Sequence, residues 1–280
     1  MRSMDAAIGI NMAAGEKTTT EMNTNQSVEK IIYRCEDTVD GIFTMIYDAW
    51  AARIPDERLS LQVEREDTYE LFAQYVYVET DLEKAVKVSR SVSRKISPLA
   101  FQYIYAAALS FEEDKAMAIY RFLKLGFAVG GRVTDMHARK EVLRIFELHR
   151  NVNNEAHLFR EFVRFADLEN GMLMAKIRPK NQVLPLIADH FADRFGSENF
   201  VIIDEKHDMG LFHALGKEWF LAPVDNEAVE QLWGKERSDE YERLWKTFFK
   251  SIEIQPRHNP TCQRNHCSLR YRDYMVEFQN

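Results

Sequence analysis

The hydrophobic pattern changes period near Phe165, and this change constrains the fold more than any other feature of the chain. From about residue 80 to 165, apolar side chains recur at three- and four-residue spacing, as in helices that bury one face. From 166 to 224 they fall into short runs separated by turn residues. Asn170-Gly171 lies between two such runs and predicts a tight turn. Strands are predicted at 200–204, 209–214 and 218–224, with turns at His207-Asp208 and Gly216-Lys217. Together these segments predict an α+β protein, a helical block over about 80–165 packed with a small antiparallel meander over about 166–224.

The remaining elements fit around that division. Residues 1–28 are polar and poor in aromatics, and read as a disordered tail. Residues 31–35 read as a strand, a candidate to join the meander. Asp37 or Thr38 then caps a helix with Ile42, Phe43, Ile46, Tyr47 and Trp50 on one face, closed by Pro55. Residues 59–63 and 75–78 are further strand candidates. A basic helix over 81–95 precedes an apolar one opened by Ser97-Pro98. Helices are also predicted at 111–126, 134–150, 153–165 and 185–194. With no internal repeat and no clear linker, residues 29–280 read as one domain.

The clearest functional signal is at the far end. Residues 236–252 predict an amphipathic helix, with Leu244, Trp245, Phe248, Phe249 and Ile252 on its apolar side. Pro256 and Asn259-Pro260 argue against further helix, so an exposed loop is expected to follow. Between residues 246 and 272, Lys246, Lys250, Arg257, Arg264, Arg270 and Arg272 stand against Glu253 alone, in a chain of net charge −7. That local reversal of sign points to a polyanion, foremost nucleic acid. Lys246, Lys250, Arg257, Asn259, Gln263, Arg264, Arg270 and Arg272 are the candidate contacts, since arginine and amide side chains suit phosphates and base edges. The plainer alternative is a charged tail packed over the core.

Other signals are weaker. No apolar run approaches the ~20 residues that span a bilayer. The first residues lack the apolar segment of a secretory signal. Cys35, Cys262 and Cys267 are too scattered for a disulfide framework, which fits a reducing cytoplasm. His258, Cys262, His266 and Cys267 have suggestive spacing, but Pro260 interrupts it and no metal or cofactor is expected. His157, His190, Asp193 and Asp204, with Glu155, Asp189 and His207 near them in sequence, could serve acid–base chemistry if they share a cleft. GFAVGGR, at 126–132, matches no phosphate-binding fingerprint and reads as a turn.

Several stretches carry a family resemblance: YRCEDTVDGIFTMIYDAW (33–50), IYRFLKLGF (119–127), EAHLFREFVRF (155–165), VLPLIADHFADRF (183–195), ENFVIIDEKH (198–207), and LWKTFFKSI (244–252) with RHNPTCQRN (257–265). In these the chain resembles a bacterial family of DNA-metabolism or DNA-repair proteins known as domain of unknown function 4130. The resemblance implies a role with DNA, single-stranded or damaged, beside a radical S-adenosylmethionine protein and a uracil-DNA-glycosylase-like protein. It implies no catalytic residue. The reading favoured at this level is a DNA-binding accessory factor. Its rivals are a nuclease or base-excision enzyme and a protein–protein adaptor without nucleic-acid contact.

Overall fold

The computed structural model describes residues 30–64, 69–168, 171–235, 240–252, 254, 256 and 259–278. Two sheets organise them, and the long helix α5 (Lys140–Phe162) contributes to the core of each.

The first sheet is parallel throughout, with order β2-β1-β3. Its strands are β1 (Lys30–Cys35), β2 (Leu59–Val63) and β3 (Ala73–Val78). Parallel neighbours require a crossover, and α1 (Val39–Ala52) supplies it between β1 and β2. The Thr38 hydroxyl starts that helix by accepting from Gly41 N–H at 3.0 Å. Gly41 must be small, because a Cβ there would meet the Glu36 carbonyl at 2.7 Å. The return from β2 to β3 passes β1 in the opposite direction. A right-handed connection must therefore cross the face that α1 leaves open. Tyr69 and Glu70 of that connection do lie there. The Arg34 guanidinium sits 4.9 Å from the Tyr69 ring centre and 4.6 Å from that of Tyr75. Glu70 accepts from Lys30 at 2.6 Å and from Gln62 at 3.2 Å.

On the other face Tyr33, Cys35, Leu61 and Val63 pack against α1 and three more helices to form the first core. These helices are α2 (Leu82–Lys95), α3 (Pro98–Ala108) and α4 (Lys115–Val129). Ser97 caps α3 with Pro98 in its first turn, as the sequence predicts. Lys115 is fully buried there, paired with Asp37 and donating to the Ser110 carbonyl at 2.7 Å.

The second sheet has order β4-β5-β6-β7-β8. Its strands are β4 (Ala166–Asp167), β5 (Leu173–Ile177), β6 (Phe200–Asp204), β7 (Met209–His213) and β8 (Phe220–Pro223). The predicted meander is β6 to β8, all antiparallel. The whole sheet is mixed, however, because α6 (Leu184–Arg194) carries the chain from β5 to a parallel β6. Nor does 31–35 join it, since β1 is the centre of the other sheet. One face packs on Ala156 and Phe159 of α5 and on Ile187 and Phe191 of α6. The other face packs on Val229 of α7 (Asn226–Lys235), a helix the sequence pattern does not predict.

Two other expectations change. The helices predicted at 134–150 and 153–165 are one helix, α5 (Lys140–Phe162). Val152, Ala156 and Phe159 continue the apolar spacing of Val142, Ile145 and Leu148 straight through the asparagines at 151, 153 and 154. The loop expected after Pro256 contains α9 (Pro260–His266). Pro260 occupies its first turn, where no N–H is needed, and the Asn259 side chain caps it by accepting from Cys262 N–H at 2.9 Å. α8 (Glu240–Ile252) forms as predicted. It buries its apolar side only in part: Phe249 packs on Phe278, while Leu244, Phe248 and Ile252 stay more than half exposed.

The two sheets are pinned together at Glu155, which is 3% exposed. Its carboxylate accepts from the Lys180 and Asn181 backbone N–H groups at 2.9 and 2.8 Å, and from the Asn181 amide. Arg270 completes the set with an ion pair at 2.8 Å. Asn181 in turn accepts from Phe111 N–H at 3.0 Å, and the Gln182 side chain donates to the Asp37 carbonyl at 2.9 Å. Glu155→Ala would strand several buried donors at once, each costing ~1–3 kcal/mol. Chemical denaturation of that variant should show a loss of about 3 kcal/mol or more. A loss below about 1 kcal/mol would show that the carboxylate pins nothing.

Thiol labelling gives a second check. Burial, reinforced by Asp37 and opposed by Lys115, pushes the Cys35 thiol up to about 12. A thiol-specific reagent at neutral pH should modify exposed Cys262 first and half-buried Cys267 more slowly, reaching Cys35 only on unfolding.

Candidate nucleic-acid interface

β5 and β6 run parallel, so their C-terminal ends open on the same side and the loops beyond them meet. Arg178 and Lys180 come from the first loop, Lys206 from the second, and all three are exposed. The Lys206 ammonium donates to the Lys180 carbonyl at 2.7 Å. Both ammonium groups stand over the ring of Phe111, which enters from the α3–α4 connection, at 5.7 Å for Lys180 and 5.9 Å for Lys206. The ring is 38% exposed. Arg270 adjoins the same surface, because Glu155 binds its guanidinium and the Lys180 backbone through one oxygen. Cations thus converge around an aromatic face.

Polar groups behind this surface hold the loops in place. Buried Lys176 pairs with Glu230 and with Glu205 at 3.2 Å. The Tyr274 hydroxyl donates to Glu205, and burial followed by that carboxylate pushes the hydroxyl well above its usual range. Asp204 is buried, with one oxygen 2.6 Å from His207 Nδ1. Its other oxygen accepts from Lys206 and His207 N–H at 3.1 and 3.3 Å. It therefore caps the β6–β7 turn, where Asp208 takes φ 50°. Burial raises the Asp204 carboxyl above its ordinary range, with His207 opposing.

The predicted contacts are distributed unevenly. Lys246 is half-buried and Lys250 exposed on α8. Arg257 lies outside the described residues, as does His258. Asn259 is committed as the cap of α9. Gln263 and Arg264 are on that helix, and the Arg264 Nε donates to its own Pro260 carbonyl at 3.2 Å. Arg272 is half-buried, and Arg270, though exposed, is ion-paired rather than free. Arg270 pairs with Glu155 and lies over Tyr271, whose ring is buried among Phe159 and Phe162. Arg272 donates to the Cys267 carbonyl at 3.2 Å and lies 4.3 Å from the Phe278 ring centre. Both serve the packing of the C-terminal turns, because their aliphatic stems and guanidinium planes cover apolar rings.

The acid–base candidates do not assemble. His157 is exposed on α5 and 3.2 Å from Glu161. His190 is exposed on α6, beside Asp193, Arg160 and Arg194; burial and then the two arginines lower its basicity. Asp204 is committed to its turn. Among the described residues no three His, Cys, Asp or Glu side chains gather as metal ligands. No sequence signal pointed to a cavity of about 680 Å³ between β2, α4 and the start of α5. Arg34, Met117, Arg121, Lys140 and Arg144 line it, and Arg144 is held by Asp114 at 2.6 Å and Glu112 at 2.9 Å.

Fold and site define an α+β protein with a cationic, aromatic-centred surface at the ends of two parallel strands. The sequence profile of one family, a domain of unknown function (DUF4130), matches residues 113–277, more than half of the chain, and the chain belongs to that family. The match takes in α4, α5, the second sheet and the C-terminal turns, and leaves the parallel sheet outside. Among curated proteins no sequence matches. One solved structure, a DHH domain described as a member of a family of ribosomal proteins, is similar at 11% identity and TM-score 0.31, over 73% of this chain and 76% of that one.

The Asp204 carboxyl makes the site testable by pH. Its raised value means the folded protein keeps a proton that the unfolded chain has already lost just above the ordinary carboxylate range. Stability contributed by this group is therefore present at low pH and falls as pH rises through that window. Denaturation at a series of pH values should show this fall in the parent and a flatter curve in Asp204→Asn. Parallel curves would mean that Asp204 ionises as easily folded as unfolded.

Proposed function

We propose that the chain is a nucleic-acid-binding accessory factor of DNA metabolism, which holds single-stranded or damaged DNA for a partner enzyme. The observation that carries this reading is the placement of Lys180 and Lys206 over the exposed Phe111 ring. A sugar–phosphate strand needs cations along its backbone and a flat apolar face for its bases, and this surface offers both. The contact region moves accordingly. Phe111, Lys180 and Lys206 form its centre, with Arg178 on the same loop as Lys180 and Arg270 adjoining through Glu155.

The family resemblance supplies the partners, a radical S-adenosylmethionine protein and a uracil-DNA-glycosylase-like protein, and the few scattered cysteines suggest a cytoplasmic setting. Among the described residues no helix is long and apolar enough to cross a membrane, which accords with that setting.

A salt-dependent titration against single-stranded, duplex and abasic DNA tests the reading. Lys180→Ala and Lys206→Ala should each lower the salt slope by about 1. Phe111→Ala should weaken single-strand binding by ~1–3 kcal/mol and leave the slope unchanged. Slopes equal to the parent's in both lysine variants would overturn the assignment.

A further inference from the structure

We infer that the outer edge of β3 is a docking site for an extended, lysine- or arginine-bearing segment of a partner protein, which adds a fourth strand to the parallel sheet. This site is separate from the proposed nucleic-acid surface and does not depend on it.

The hydrogen bonds of the sheet identify the free groups. Ile31 N–H donates to Arg58 O and Glu64 N–H to Cys35 O, both at 2.7 Å, so residues 31, 33 and 35 of β1 face β2. Residues 30, 32 and 34 must then face β3, because peptide groups alternate along a strand. With Ile32 opposite Tyr75 and Arg34 opposite Tyr77, the ladder uses Gln74, Val76 and Val78. The N–H and C=O groups of Ala73, Tyr75 and Tyr77 therefore point outward, and among the described residues no strand pairs with them. Natural sheets guard such edges with charge, proline or bulges. Ala73–Val78 reads AQYVYV and has neither charge nor proline.

The surroundings select the occupant. Glu79 and Asp81 stand at the end of this edge, while Glu70 is held by Lys30 at 2.6 Å and Glu83 by Lys87 at 3.7 Å. A cleft of about 820 Å³ lies beside Val76, Tyr77 and Val78 on the side of α1 and α2, lined also by Tyr33, Asp48, Glu79 and Asp81. Lys84, the cation lining it, is neutralised by Asp48 at 2.8 Å. At the start of the strand Leu71 and Phe72 are 86% and 90% exposed, and Phe72 takes φ 62°, a conformation that L side chains rarely adopt. An open ladder, an apolar lip and an acidic rim suit a strand alternating apolar and basic residues. A second copy of this chain would set the same carboxylates against one another, and a nucleic acid would meet them with phosphates.

The test uses the full chain and a fluorescent hexapeptide alternating lysine and valine. It should bind at least ten-fold tighter than its glutamate–valine counterpart and than the same peptide N-methylated at alternate residues. Binding should slow hydrogen exchange at the Tyr75 and Tyr77 amides at least ten-fold. Tyr77→Pro removes an outward N–H without touching the ladder to β1, and Glu79→Lys reverses the rim; each should weaken binding ten-fold or more. Should the proline variant unfold, Glu79→Lys and the methylated peptide still decide. Equal binding of the methylated peptide, or unchanged exchange at Tyr75 and Tyr77, would overturn the proposal. So would protection of these amides that rises with protein concentration in the absence of peptide, because the occupant would then be a second copy.

Discussion

The Glu155 carboxylate lies where α5, the loop after β5 and the C-terminal turn meet, and both of its oxygens are committed. Its backbone donors fix residues 180 and 181, and the flanking Asn181 and Gln182 reach into the first sheet unit at Phe111 and Asp37. A buried charge with fewer partners would be costly, so this geometry is tightly specified. The positions of Lys180 and Phe111 follow from it directly. So does the pairing of Arg270, which stays exposed but gives up its role as a free cation to satisfy the carboxylate.

Much of the architecture was legible because it is local. Thr38, Ser97-Pro98 and the apolar spacing of each helix act within a few residues. The division into helices and then strands near residue 165 was likewise visible in the periodicity. Errors arose where a local signal has two meanings. A proline can end a helix or open one; Pro260 opens α9, and the Asn259 cap just before it marks that role. The asparagines at 151, 153 and 154 are weak helix formers, yet the apolar stripe continues across them, and its burial against two cores outweighs their propensity.

The site was less legible than the fold. Phe111, Lys180 and Lys206 come from three connections, and nothing in their sequence neighbourhoods joins them; parallel pairing of β5 and β6 does. The C-terminal charge reversal was real as composition but misleading as geography. Arginine is long and planar, and beside Phe278, Tyr271 and a buried carboxylate it packs as readily as it solvates. Sheet pairing was also beyond reach, because the apolar pattern of residues 31–35 fits either sheet.

The family match begins at residue 113, immediately before α4, whereas the apolar faces of α4 and the first half of α5 belong to the core of the parallel sheet. Ile119, Phe122, Val142, Ile145 and Leu148 would meet water in a polypeptide cut at that point. The shared stretch is therefore not a self-sufficient module. A polypeptide that began at residue 113 would have to find another greasy layer to replace the parallel sheet and its helices before it could fold.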